Sequence, residues 1–460
     1  MRILPICLLL TASLPALAQG VRDPLATDAL LPLQSAHQLA ARVGEAPCAE
    51  NLPEGALTAL DAVDIALCRN PQTRESWANA RVQAAQVGVA RGAWLPSLDG
   101  RAAIARSFAD SGDLTQRSAA LTLSWLLLDF GQRSASQQNA GRLLDAALAT
   151  RDATVQNLFL STLQSYYTAQ ATRAAVGAAV EAERAARESL AAAELRYQVG
   201  AAAPADRLQA QTAASQATLN RQRAEGDARN ALGALAFTLG LPAQTGLTLA
   251  EAADLQAIDA WRRDVESLIG DALARRPDLK AAQAQVEAAQ AAADLARAQG
   301  RPTVSLAAGP TWQKTGPLEN DGGSVGLTLN VPFFNGFQTT YRVRAAQAQV
   351  DARMAQRDRL QQQVALDVWK AWQNLGTANQ SLQTTRDLLA SAEQSQRVAL
   401  GRYKAGVGSV LDLLSAQSAL ASARVQRIQA ELDWQVSRAT LAQAVGTLDY
   451  RLLQAAEGNP

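Results

Sequence analysis

Residues 119–131 read Ala-Ala-Leu-Thr-Leu-Ser-Trp-Leu-Leu-Leu-Asp-Phe-Gly, and residues 325–337 read Val-Gly-Leu-Thr-Leu-Asn-Val-Pro-Phe-Phe-Asn-Gly-Phe. Ala119, Leu121, Leu123, Trp125 and Leu127 are apolar at every second position, with Thr122 and Ser124 between them. Val325, Leu327, Leu329 and Val331 alternate with Gly326, Thr328 and Asn330 in the same way. A period of two marks a strand with one apolar face. Just after each stretch the pattern changes. Residues 132–198 and 338–404 contain no proline and are rich in Ala, Gln, Leu and Arg, as a long helix requires. Roughly 65 residues at 1.5 Å each predicts a rod of about 100 Å.

The two stretches are copies. Residues 71–240 recur at 277–446 with a constant offset of 206. Pro71 matches Pro277, Pro96 matches Pro302, Asp206 matches Asp412, Gln211 matches Gln417 and Gly240 matches Gly446. A period this long, met only twice, is not a solenoid, whose units run to about 20–50 residues. It is one structural half built twice. The predicted order is a signal peptide at 1–18, an extended lead-in at 19–57, a first repeat at 58–240, a linker at 241–263, a second repeat at 264–446 and a tail at 447–460. In the first repeat, strands are expected at 97–107 and 118–128 and long helices at 132–198 and 204–239. In the second, strands are expected at 303–310 and 324–333 and long helices at 338–404 and 410–445. Polar loops near 110–116 and 316–323 join the strands of each pair. Val364, Val368, Ala371, Leu375 and Ala378 step by four and three, as do Leu414, Ser418, Ala421, Val425, Ile428 and Leu432, which predicts coiled-coil seams.

The start of the chain reads as a secretory signal, with Arg2, a short apolar core and cleavage expected after Ala18. Cys7 leaves with it, and Cys48 and Cys68 are either a disulfide or two separate thiols. The whole chain has 43 Lys plus Arg against 42 Asp plus Glu, so nothing points to nucleic acid. The single histidine, His37, falls in the lead-in, and no phosphate loop, zinc-type cysteine pair or nucleophile elbow occurs. No catalytic chemistry and no cofactor are expected.

Strands cross a membrane only as a closed barrel, because an open edge leaves backbone groups unpaired in lipid. Barrels need at least about eight strands, so four strands per chain imply pooling, and three chains would supply twelve. Trp125, Phe130, Phe333, Phe334 and Phe337 cluster at one end of the strands, where either an aromatic girdle or junction packing would place them.

This order of helix, hairpin, rod, turn and rod, written twice, resembles the TolC-like outer-membrane efflux and secretion channels. The motifs are Trp125-Leu-Leu-Leu-Asp129-Phe-Gly131, Val331-Pro-Phe-Phe-Asn335-Gly336, Arg196-Tyr197-Gln-Val-Gly200 and Arg402-Tyr403-Lys-Ala-Gly406. The resemblance implies a mostly α protein with a small β part, a homotrimer with a shared twelve-stranded barrel in outer-membrane lipid, and an α-helical periplasmic tunnel. It implies a periplasmic adaptor and an inner-membrane ABC or proton-driven transporter as partners, with this chain as the passive exit duct.

Gly200 and Gly406 end the descending helices, and the resemblance implies that an adaptor would dock around the turns at Ala203 and Ser409. Asp206 and Asp412 fall in the first turn of the ascending helices, where acids compensate the helix dipole. By resemblance, Asp412 would also ring the entrance, although Ser415 stands where a second acidic ring would lie. Asp206 and Tyr403 would belong to a network that holds the entrance closed, and the arginine expected in it is replaced by Gly408. The absence of a lipid-bearing cysteine after the cleavage site leans toward type I secretion of a protein such as a toxin. Multidrug or metal efflux is the alternative.

Overall fold

Pro71 and Pro277 lack the N–H that an internal helical residue must donate, and the chain breaks its helices at both. The computed structural model describes residues 23–31, 55–108, 113–251 and 264–448. Ala18, His37 and Cys48 lie outside the described residues. The first repeat forms α1 (Ala59–Arg69), α2 (Pro71–Gly92), β1 (Ser97–Ser107), β2 (Leu114–Leu128), α3 (Gln132–Gln198) and α4 (Pro204–Thr238). The second forms α5 (Val265–Arg275), α6 (Pro277–Ala298), β3 (Thr303–Thr315), β4 (Leu318–Asn330), α7 (Gln338–Lys404) and α8 (Val410–Val445). Thr58 starts α1 with a capping box: its Oγ1 accepts from the Asp61 N–H at 3.1 Å, and the Asp61 carboxylate accepts from the Thr58 N–H at 3.0 Å.

Three strands differ from their expected bounds, each longer at the hairpin end and β4 shorter at the other. β2 begins at Leu114 rather than 118, β3 continues to Thr315 rather than stopping at 310, and β4 begins at Leu318 and ends at Asn330. The loop expected at 316–323 is therefore only a tight turn at Gly316, whose φ is +57°. The reason is pairing. Gly322 faces Thr311, and Asn320 faces Gln313, across a continuous ladder that does not depend on their own side-chain alternation.

The repeats do not fold as separate bodies. The described residues form two compact units, one from 23–31, 79–108, 113–147 and 284–354 and the other from 55–78, 148–251, 264–283 and 355–448, so each takes residues from both repeats. The first unit holds one antiparallel sheet of four strands in the order β1-β2-β3-β4, with the repeats joined at β2–β3.

The second unit holds the main core. Val63, Phe159, Leu163, Leu235 and Leu239 are almost wholly buried, and Tyr166 donates its hydroxyl to the Leu57 carbonyl at 3.0 Å. A second cluster buries Val364, Val368, Ala371, Leu375 and Ala378 with Trp434, which is the seam expected on α7. On α8 the buried row is instead Leu413, Ala416, Ala423, Ala430 and Trp434, while Val425 is 54% exposed. Alanine rows let helix backbones approach closely, and that packing decides against the row of larger residues expected there.

Candidate functional site

The two helix turns lie in the second unit. Gly200 (φ +74°) and Gly406 (φ +79°) adopt the left-handed backbone that ends α3 and α7. Ala201 N–H donates to the Arg196 carbonyl at 2.8 Å, and Val407 N–H to the Arg402 carbonyl at 3.0 Å, so both turns close in the same way.

The helices that follow start differently. Ser409 caps α8, its Oγ accepting from the Asp412 N–H at 3.1 Å, and the Asp412 carboxylate accepts from the Ser409 N–H at 3.4 Å. Asp412 therefore completes a capping box and is also exposed to solvent. Ala203 offers α4 no side-chain cap, and Pro204 opens that helix. Asp206 sits in its first turn, where its N–H donates to the Ala203 carbonyl at 3.1 Å.

Tyr403 is buried in a small cluster with Ala193, Ala210, Val410 and Leu413. Arg196 joins the two turns there. Its guanidinium lies 4.2 Å from the centre of the Tyr403 ring and donates to the carbonyls of Tyr403 and Lys404. No arginine stands at position 408, and the guanidinium that covers the Tyr403 ring comes from the other repeat, from a residue that sequence reading treated only as part of a turn motif. Gly408 itself is closely packed, since a Cβ there would lie 3.1 Å from Arg402 Cβ and 3.2 Å from the Tyr403 nitrogen. Asp206 is not hydrogen-bonded to Tyr403 among the described residues. Asp412 and Ser415 line one groove with Gln394, Val398, Arg402 and Gly408.

Further along the same helix pair, Glu183 of α3 holds α4. Its carboxylate accepts from the Thr218 hydroxyl at 2.6 Å and from Arg221 at 2.7 Å, and it pairs with Arg187 at 2.7 Å. The Thr218 hydrogen bond is the largest influence and, with the two arginines, holds this carboxyl below its ordinary value against the opposing effect of burial. Only the Glu183–Arg187 spacing was visible in advance; the contacts to α4 need the fold.

The sheet of the first unit sorts its side chains by face. Leu98, Ala102, Ile104, Leu121, Leu123, Leu306, Val325, Leu327 and Leu329 lie on one side by register, and Asp99, Arg101, Thr122, Ser124, Ser305, Thr311, Thr328 and Asn330 on the other. The apolar side is uncovered: Ile104 is 77% exposed, Leu327 68% and Val325 81%. The strands are 11, 15, 13 and 13 residues long, enough to cross a bilayer at the tilt of a barrel, which takes about 9–11 residues. No described helix is long and apolar enough to cross one. Phe333, Phe334 and Phe337 at the end of β4 are exposed, as are Trp125 and Phe130, so they do not serve as junction core within one chain. Among the described residues no group of His, Cys, Asp and Glu could hold a metal ion. Cys68 is disulfide-bonded, and Cys48 is not described.

A family model described as outer membrane efflux protein matches residues 62–241 and again 268–447, once for each repeat. The chain belongs to the outer membrane efflux protein family. It is 34% identical over 411 residues to Protein CyaE of Bordetella pertussis, covering 87% of this chain and 86% of that protein. It is 29% identical over 454 residues to the probable efflux pump outer membrane protein TtgC of Pseudomonas putida, covering 95% and 90%. The CmeC outer membrane channel of Campylobacter jejuni shares its fold, with a TM-score of 0.77 over 87% of this chain and 89% of that one at 18% identity. This member of the efflux family is thus an outer-membrane channel protein, mostly helical with a small sheet.

Proposed function

We propose that three copies pool their strands into one twelve-stranded barrel and their rods into one periplasmic tunnel, forming the passive exit duct of a tripartite export machine. A periplasmic adaptor and an inner-membrane transporter, ABC-type or proton-driven, complete it and supply the energy. The observation that carries this reading is the four-stranded sheet with a bare apolar face and two open edges. Lipid covers such a face, but only another strand satisfies the edges.

The two helix turns serve as the entrance. Asp412 contributes an exposed carboxylate to it, Arg196 on Tyr403 ties its two turns together, and the groove beside Asp412, Ser415 and Ser409 receives the adaptor, as does the turn at Ala203. The cargo is assigned to the protein class, through a type I secretion partner. In support, identity is 34% to Protein CyaE, whose name carries no drug or solvent, against 31% and 29% to relatives named for antibiotic or toluene efflux. Those names favour the second reading, drug or solvent efflux. Purified protein should run as a heat-sensitive trimer and conduct in planar bilayers. A single copy with no conductance would end the proposal, and deletion of the gene separates the cargo classes by whether a secreted protein or drug resistance is lost.

A further inference from the structure

Near its hairpin ends the bare face of the sheet changes character. The register puts Arg106, Arg117 and Lys314 on the same side as Ile104, Leu121, Leu306 and Leu327. On β3 that side reads Val304, Leu306, Ala308, Pro310 and Trp312 before it reaches Lys314. At about 3.3 Å per residue, Val304 to Trp312 spans about 26 Å along the strand, or about 20 Å of height at a barrel's tilt. The charged rows therefore stand where hydrocarbon gives way to headgroups, and Trp312 stands where interfacial aromatics gather. The hairpin ends are the strand ends that carry no helix, so in an outer-membrane channel with periplasmic helices they face the cell exterior.

Arg117 and Lys314 are direct cross-strand partners on this side. Like charges directly opposed destabilise a sheet, so the pair calls for an anion. The nearby carboxylates do not supply one to Arg117. Lys314 donates to Glu319 at 3.1 Å, and Trp312 Nε1 donates to the same carboxylate at 2.9 Å. Arg106 donates to Asp113 at 2.9 Å. Asp321 lies opposite Trp312 on β4, two strands from Arg117 and one row nearer the apolar band. Strand spacing and rise put it about 12 Å from Arg117. Arg117 is exposed and makes no ion pair among the described residues.

We propose that Arg117 and Lys314 hold a phosphate on the headgroup of an outer-leaflet lipid, whose acyl chains lie along the apolar rows below. The inference rests on the shared-barrel reading, which puts this face in lipid, and adds to it the headgroup chemistry that the face selects. The Arg117 guanidinium offers a planar fork of donors to two phosphate oxygens. Lys314 keeps two N–H donors after Glu319 takes one. Arg106, one row nearer the hairpin tip, extends the basic area. Glu319 and Asp321 confine the site to the β1–β3 side, because they repel a phosphate over β4.

The test uses purified full-length trimer stripped of lipid, with lipid A as the probe. The readouts are lipid retained in native mass spectrometry and the trimer's dissociation temperature in detergent. The parent should retain lipid A and dissociate at a higher temperature with it. Arg117→Gln/Lys314→Gln should bind it about thirtyfold more weakly, from about fivefold for each cation at a lipid surface. Without lipid, the double variant should dissociate at or above the parent's temperature, since the opposed charges are gone. Arg101→Gln, on the polar side, should retain lipid A like the parent. Lipid A freed of its phosphates should not be retained. Parent-like retention by the double variant, equal retention of the phosphate-free lipid, or displacement of lipid A by millimolar inorganic phosphate would overturn the proposal. So would a lower lipid-free dissociation temperature for the double variant, which would make the two cations structural. If the purified protein is neither trimeric nor conducting, the shared-barrel reading fails; if it is both and these comparisons fail, only the lipid site is wrong.

Discussion

Arg133→Ala should weaken the assembled channel by removing the charge that locks the first strand-to-helix junction. The Arg133 guanidinium donates to the Asp129 carboxylate at 3.0 Å and to the carbonyls of Leu126 at 2.7 Å and Leu127 at 3.1 Å. It also lies 4.3 Å from the Trp94 ring centre, and both charged side chains are buried. Truncation strips the two carbonyls and leaves Asp129 with backbone donors alone, at 2.7 Å from residue 133 and 3.4 Å from Gly131. Breaking a buried pair from one side costs about 3–5 kcal/mol. The surviving N–H donors favour the lower end, so about 3 kcal/mol, or about a hundredfold in the folding equilibrium, is expected. The assay is the temperature at which the unboiled trimer dissociates in detergent. Asp129→Asn/Arg133→Met, which removes both charges at similar volume, should recover half or more of the loss. A parent-like dissociation temperature for Arg133→Ala would refute the reasoning. Burial pushes the Asp129 carboxyl up, but hydrogen bonds from the residue 133 N–H, its guanidinium and the Gly131 N–H pull it below its ordinary value. A carboxyl with a lowered folded pKa stabilises above its unfolded value of about 3.9 and loses that contribution as pH falls through the folded one. Between pH 5 and 8 this junction should therefore give no pH dependence, which melting across that range checks.

Arg196→Ala should raise leak current in bilayer recordings, whereas Tyr403→Phe, which keeps the ring and both carbonyls, should change it much less. Equal leak in the two variants would exclude the Arg196 bridge. Asp412→Ala should lower cation selectivity and block by multivalent cations; because it also removes half of a capping box, a cost of about 1 kcal/mol to α8 is expected in melting experiments. Gly309→Val should abolish assembled channel in outer-membrane fractions, since a Cβ there would lie 1.8 Å from the Leu121 carbonyl oxygen. Gly326→Ala, with nothing within 4 Å, should assemble like the parent.

The helices were legible because prolines and glycines punctuate both repeats at the same offset, and the strand cores because Leu121–Leu127 and Val325–Val331 alternate. The strand ends were not, because Gly322, Gly323 and Asn320 are extended by their partners across the ladder rather than by their own propensities. The buried row on α8 was missed for a related reason: Ala423 and Ala430 look unremarkable in sequence, and only the closeness of a neighbouring helix makes them the core. Arg196 could be read as a turn residue but not as a bridge, since the ring it covers is Tyr403, 207 positions along the chain.

Duplication predicts two equal halves, yet the fold uses each copy of a motif for different work. Asp129 and Arg133 form a buried lock, while their counterparts Asn335 and Thr339 share only an exposed hydrogen bond. Arg196 crosses to Tyr403, while Arg402 lines the groove beside Asp412. Ser409 and Asp412 form a capping box that Ala203 cannot form with Asp206. In each pair one repeat finishes its contacts within the chain and the other leaves them open. Halves that differ at the junction and the turn distinguish the contacts made within a chain from those that the proposed assembly would make between chains.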